Sequence, residues 1–139
     1  MTYEEKKEWL RRYRKAAKLE KIKLEEVERY RTDAEHITQV LSPVPGGTGD
    51  SQALPRSVER ITDAMQAANA QVMECQRICK EILSVMSQTV DIQDYEILYL
   101  RYIGGKKWEP IAAKMGMEVS SVYRRHKRAV KALDIPERQ

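Results

Sequence analysis

The chain has no Phe, only 6% aromatic residues and just two Cys in 139 residues. With so few of the large side chains that pack sheets, strand-built folds are disfavoured. The two thiols, Cys75 and Cys79, lie four apart inside a helical pattern, which offers no disulfide framework and fits a reducing compartment. Long apolar runs are also missing. The longest, Ile97 to Leu100, is four residues, against the ~18 that a membrane helix needs. Charge begins at Glu4 and no secretory leader pattern precedes it, so a soluble intracellular protein is expected. Zinc would need about four ligands, whereas the two histidines, His36 and His126, are distant in sequence from the cysteine pair. No nucleophile, base and orienting group occur as a set. We therefore expect no enzyme, no cofactor and no metal site, and at 16.2 kDa about one domain, or one small module plus an extended element.

What the chain has is charge, unevenly placed. The net charge is +4, but residues 101–139 hold ten Lys/Arg against four Asp/Glu. A second basic block runs from Lys6 to Lys23, with nine Lys/Arg facing only Glu8 and Glu20, while residues 42–100 carry four basic and eight acidic side chains. Clustered cations on a small chain are the footprint of a phosphate-backbone binder, although a solvated helix face produces the same count.

Thr2 followed by Glu5 is a capping-box pattern, and apolar residues recur at Leu10, Tyr13, Ala17, Leu24, Val27, Ala34 and Leu41. A first helix of about forty residues, on the order of 60 Å long, follows. Residues 42–55, SPVPGGTGDSQALP, contain three Pro and three Gly and read as a linker. The glycine cluster lacks the Lys-Ser/Thr of a phosphate-binding loop. From Ser57, read as an N-cap, apolar residues step by three and four through Val58, Ile61, Met65, Ala68, Val72, Cys75, Cys79, Ile82 and Met86 to Thr89, the repeat of a coiled-coil seam. The economical arrangement is a long antiparallel helical hairpin over residues 1–90, with its loop at 42–56. Two helices cannot shield a seam on every side, so self-association or docking onto a partner is expected. Such a hairpin would also bring the two basic blocks together.

After Val90 the pattern shortens. Asp91 and Asp94 suit a helix start, Gly104-Gly105 a stop, Pro110 the first turn of a second helix and Gly116 its end. A third, basic helix spans about Val119 to Leu133. Short helix, glycine turn and longer basic helix form a helix-turn-helix over residues 91–139, whose last helix enters a major groove. On residues Leu100-Arg101-Tyr102, Gly104, Trp108-Glu109, Ile111-Ala112, Met115-Gly116, Val122, Arg128-Ala129 and Leu133, the stretch resembles region 4 of bacterial sigma factors. The whole chain, with its long N-terminal helices and PVPGGTGD loop, is similar to small regulators encoded by phages and prophages, related to autolysin regulators and late-transcription regulators. The resemblance implies an all-helical protein that controls phage genes by binding double-stranded DNA, with RNA polymerase as a further partner. Lys107 and Glu118 depart from it, standing where the sigma pattern has helix-capping residues; His126 replaces a usually apolar one.

At ~100° per residue, Val122, His126, Ala129 and Leu133 share the inner side of the third helix. Ser120, Arg124, Lys127 and Lys131 point the other way, flanked by Ser121, Tyr123 and Arg128. Ser120, Ser121, Tyr123, Arg124 and Lys127 are the base-contact candidates, Arg124 because a guanidinium grips guanine bidentately. Lys106, Lys107, Arg128 and Lys131 are placed for phosphates. Two rival readings share this fold: a module that docks on polymerase without reading DNA alone, and a DNA-recognition part of a phage packaging machine.

Overall fold

Helix formation begins at Thr2. Its hydroxyl accepts from the Glu5 N–H while the Glu5 carboxylate accepts from the Thr2 N–H, completing the expected capping box. The computed structural model describes residues 1–40 and 51–137. In order, the helices are α1 (Tyr3–Leu10), α2 (Arg12–Val40), α3 (Ala53–Met86), α4 (Ile92–Tyr102), α5 (Trp108–Met115) and α6 (Val119–Ala132), and no strand occurs among the described residues.

The expected forty-residue first helix is interrupted at one residue. Arg11 keeps right-handed helical angles, φ −69° and ψ −11°. Its N–H bonds to the Lys7 carbonyl, and its own carbonyl accepts from Lys15. The linker expected at 42–55 lies mostly outside the described residues, as does Leu41; its end is corrected. Helix α3 starts at Ala53, because Pro55 sits in the first turn, where a missing N–H loses no bond. Ser57 is therefore not an N-cap but a buried residue inside the helix.

The described residues pack as two units, Met1–Ala16 with Cys75–Gln139, and Ala17–Glu74, whereas the change of sequence pattern places a boundary at residue 90. The first unit gathers Leu10 of α1, Ile82 and Met86 of α3, Leu98 and Tyr102 of α4, and Val130 of α6 in one core. Burying such a side chain contributes about 1.5–3 kcal/mol relative to leaving it in water. Lys6 of α1 donates to the carbonyls of Lys131 at 2.8 Å and Leu133 at 2.6 Å, satisfying acceptors at the end of α6 that have no intrahelical partner. Arg12 pairs with Glu81 at 2.9 Å. A second cluster, Ile97, Leu100, Ile111, Ala112 and Val122, with Trp108 and Met115 against it, holds α4, α5 and α6 together.

In the second unit Val27 of α2 packs with Ala64 and Ala68 of α3, with Tyr30 beside them, and an Arg31 Nη lies 3.8 Å from the Met65 sulfur. The seam on α3 is shifted from the expected one. Ile61, Ala68, Cys75, Ile82 and Met86 point inward as anticipated, but Ser57, Ala64, Ile78 and Val85 are buried as well, while Val58 and Met65 are exposed. On α2, Leu24 is likewise exposed and Lys23 is half-buried.

Leu10 is fully buried, so Leu10→Ala is expected to destabilise the first unit by about 2–5 kcal/mol in urea denaturation followed by Trp9 and Trp108 fluorescence. A loss below about 1 kcal/mol would show that α1 is not part of that core.

Candidate nucleic-acid interface

Two glycines shape the framework. Gly116 ends α5 in the left-handed region at φ +65°, and the next residue's N–H, Met117, reaches back to the Ala112 carbonyl at 3.0 Å. That reversal launches α6, and a side chain there would be strained although space is open around it. Gly105, at φ +66°, lets the Arg14 guanidinium lie against the α4–α5 turn. A Cβ there would meet Arg14 Nε at 2.5 Å, and Arg14 donates to the Ile103 carbonyl at 3.4 Å. Neither Lys107 nor Glu118 makes a side-chain capping bond to α5 or α6. Glu118 is confined to the favourable charge it brings to a helix N-terminus.

The inner side of α6 is as expected from the helical wheel, with Val122, His126, Ala129 and Leu133 buried, and Val130 added to them. His126, at 1% exposure, is the centre of an aromatic cage. Its Nε2 shares a 2.6 Å hydrogen bond with the Tyr102 hydroxyl, its Nδ1 lies 3.4 Å from the Tyr3 hydroxyl, and Trp108 stands edge-on with centroids 4.6 Å apart. Burial, helped by the positive charges of Arg101, Lys7 and Arg11, pulls its pKa down to about 3. Burial also pushes the phenols of Tyr102 and Tyr3 up. The imidazole is therefore a neutral packing residue.

On the outer side, Ser120, Tyr123, Arg124, Lys127, Arg128 and Lys131 are exposed and Ser121 is half-buried. Ser121, Arg124 and Arg128 line one concavity together with Arg125. Arg124 donates to the Ser121 hydroxyl at 3.4 Å. Tyr123 leans its ring edge against Trp108 at 5.4 Å between centroids. Lys127 stands apart from the concavity, its Nζ 5.7 Å over the Tyr3 ring of α1. Lys131 is close to α1 as well, through the carbonyl that Lys6 caps. Lys106 and Lys107 are exposed on the α4–α5 turn, where the Lys106 carbonyl accepts from Arg101 and the Arg101 guanidinium lies 4.3 Å from the Trp108 ring centroid.

Two residues of the interface escape a reading of the sequence. Arg125 falls between the inner and outer sides of α6, and the wheel assigns it to neither. Asp94 reads only as a helix-start residue; Asp91 is the N-cap that accepts from the Asp94 N–H, which holds the Asp91 carboxyl below its usual range. The buried Asp94 carboxylate is thereby left to accept from Arg125 at 3.0 Å and Arg128 at 3.2 Å. A charge-assisted pair on one carboxylate fixes both guanidiniums beside the concavity. A carboxylate spaced to meet two arginines more than thirty residues later carries no local signature that would reveal it.

Because folded His126 stays neutral down to about pH 3 while an unfolded histidine takes a proton near pH 6.5, its contribution to stability is complete above pH 6.5. That contribution is lost as pH falls from 6.5 toward 3, by up to about 1.4 kcal/mol per pH unit. Thermal melts between pH 7 and 4 are expected to fall more steeply for the wild type than for His126→Gln; parallel profiles would contradict the buried neutral imidazole.

Compared with known families, residues 81–133 match Sigma-70, region 4. No curated protein matches the chain. No solved structure does either. The matched span begins in the last part of α3 and runs through α6, and it makes the C-terminal helices a sigma-region-4-like helix-turn-helix with a DNA-binding, transcription-related role.

Proposed function

We propose that the chain is a sequence-specific, non-enzymatic DNA-binding regulator of phage or prophage genes, working as a homo-oligomer in the bacterial cytoplasm. The observation that carries this reading is the outer face of α6, where Ser121, Arg124, Arg125 and Arg128 surround one concavity inside the span that matches Sigma-70, region 4. In the proposed complex α6 lies in a major groove. Ser120, Ser121, Tyr123, Arg124 and Lys127 meet base edges, and Lys106, Lys107, Arg128 and Lys131 meet phosphates. The long helices form an antiparallel coiled-coil hairpin, a reading supported within the second unit by Val27 of α2 packing with Ala64 and Ala68 of α3 and by Arg31 beside Met65. Oligomerisation sets two or more recognition helices on spaced half-sites, and the bound protein recruits or blocks RNA polymerase. Support for the phage assignment is the likeness of the whole chain, including the PVPGGTGD loop, to small phage regulators. Among the described residues no helix is long and apolar enough to cross a membrane.

Base readers and phosphate neutralisers respond differently to mutation. On a duplex selected from random sequence by the wild type, Arg124→Ala is expected to weaken binding by about 1–3 kcal/mol and to relax specificity, whereas Lys131→Ala weakens selected and random duplexes alike. Equal losses on both duplexes for both variants would contradict the assignment.

A further inference from the structure

The arginines of α6 divide between two sides of the helix. Ser120, Arg124 and Lys127 share the strip that points away from the core, whereas Arg125 lies about 100° round from Arg124, away from Lys127, on a flank it shares with Ser121 and Arg128. A helix lying in a major groove has base edges beneath its outward strip and a sugar-phosphate backbone along each flank. Behind this flank stands Asp94 of α4, whose side chain is 9% exposed. Its Oδ1 accepts from Arg125 Nη1 at 3.0 Å and its Oδ2 from Arg128 Nη2 at 3.2 Å. Among the described residues, Arg125 Nη2 and Arg128 Nη1 donate to no protein atom. The Arg128 side chain is 69% exposed, and an ion pair that open to solvent adds little to stability; holding it at one end aims the other end outward. Around the concavity Arg124, Arg125 and Arg128 outnumber the acids they meet, Asp91 and Asp94, which leaves an excess of positive charge.

We infer that Arg125 and Arg128 form a two-armed clamp on one backbone phosphodiester of the duplex, with Asp94 as the positioning residue behind them. Each guanidinium presents several N–H donors in a fixed plane, so one nitrogen stays on the carboxylate while another meets a phosphate oxygen. Anchoring removes in advance the side-chain freedom that a loose arginine loses on binding. The Asp94 carboxylate lies behind two cations that neutralise it, so it orients them without facing the phosphate itself. A phosphodiester gripped on this flank fixes how far α6 slides along the groove, and with it the base that Arg124 meets. The clamp gives Arg125 a role that its place on the helical wheel leaves unassigned. It deepens the DNA-binding reading proposed above and rests on it.

The test replaces phosphates of the duplex selected by the wild type with uncharged methylphosphonates, one position at a time, and measures the affinity of the full chain at fixed salt, with helical circular dichroism as the folding control. The wild type is expected to lose about tenfold at each phosphate it grips. Arg125→Ala is expected to lose a similar factor on the unmodified duplex and then to be indifferent to the methylphosphonate at one of those positions, while still responding at the others. Asp94→Asn is expected to weaken binding several-fold and to blunt the response at that same position, although removing an acid would tighten binding if net charge alone decided. Should Asp94→Asn lose helicity, Arg128→Ala, made at an exposed side chain, is expected to show the same indifference at the same position. Losses from Arg125→Ala and the methylphosphonate that multiply at every position, or a folded Asp94→Asn that binds every duplex more tightly, would overturn the clamp and leave the DNA-binding reading in place. A wild type that binds no duplex at low salt would overturn both.

Discussion

His126 joins three helices of the first unit at one point. Its Nε2 meets Tyr102 of α4, its Nδ1 faces Tyr3 of α1, and its ring lies on α6 behind the residues that point outward. An imidazole buried this deeply is tolerable only uncharged and with its nitrogens partnered, since an unpaired buried polar group costs about 1–3 kcal/mol. The two tyrosines meet that demand, and in doing so they fix how α6 rolls about its axis. The roll decides which residues of VSSVYRRHKRAVKA face out. Ser120 and Arg124 face outward because Val122, His126 and Val130 cannot.

The same cage explains why the first sixteen residues belong with the C-terminal helices. Tyr3, Lys6 and Leu10 sit on one side of α1, at spacings of three and four, and they meet His126, the end of α6 and the core in turn. Part of the basic N-terminal block thus serves structure: Lys6 caps α6, and Arg14 lies over the turn that Gly105 opens. The remaining charge of α6 is arranged by an acid. Asp94 gathers Arg125 and Arg128, so the concavity beside Ser121 has a fixed floor rather than three independently mobile cations.

Much of this is legible from periodicity and caps. The Thr2–Glu5 box, the glycine stops at 104, 105 and 116, Pro110 within the first turn of α5, and the inner side of α6 all depend on local rules, and there local rules suffice. They fail where a distant partner decides. Size alone draws the α3 seam through Val58 and Met65, the larger hydrophobes, but Ala64 is the residue that packs with Val27 of α2, and Val58 and Met65 lie exposed. Leu24 fits the inner repeat of α2 by the same criterion and lies outside. Ser57 resembles a cap because Pro55 looks like a helix breaker until it is seen to occupy a first turn. Arg125 and Asp94 are invisible locally because their pairing spans thirty-one residues and two helices.

The central claim is that α6 presents a cationic face to duplex DNA, and its most direct test is the affinity of the purified chain for a random duplex measured across a series of salt concentrations. With Lys106, Lys107, Arg128 and Lys131 on phosphates, binding is expected at low salt, and the logarithm of affinity is expected to fall with the logarithm of salt at a slope of about −4. Absence of binding at low salt, or an affinity indifferent to salt, would contradict it.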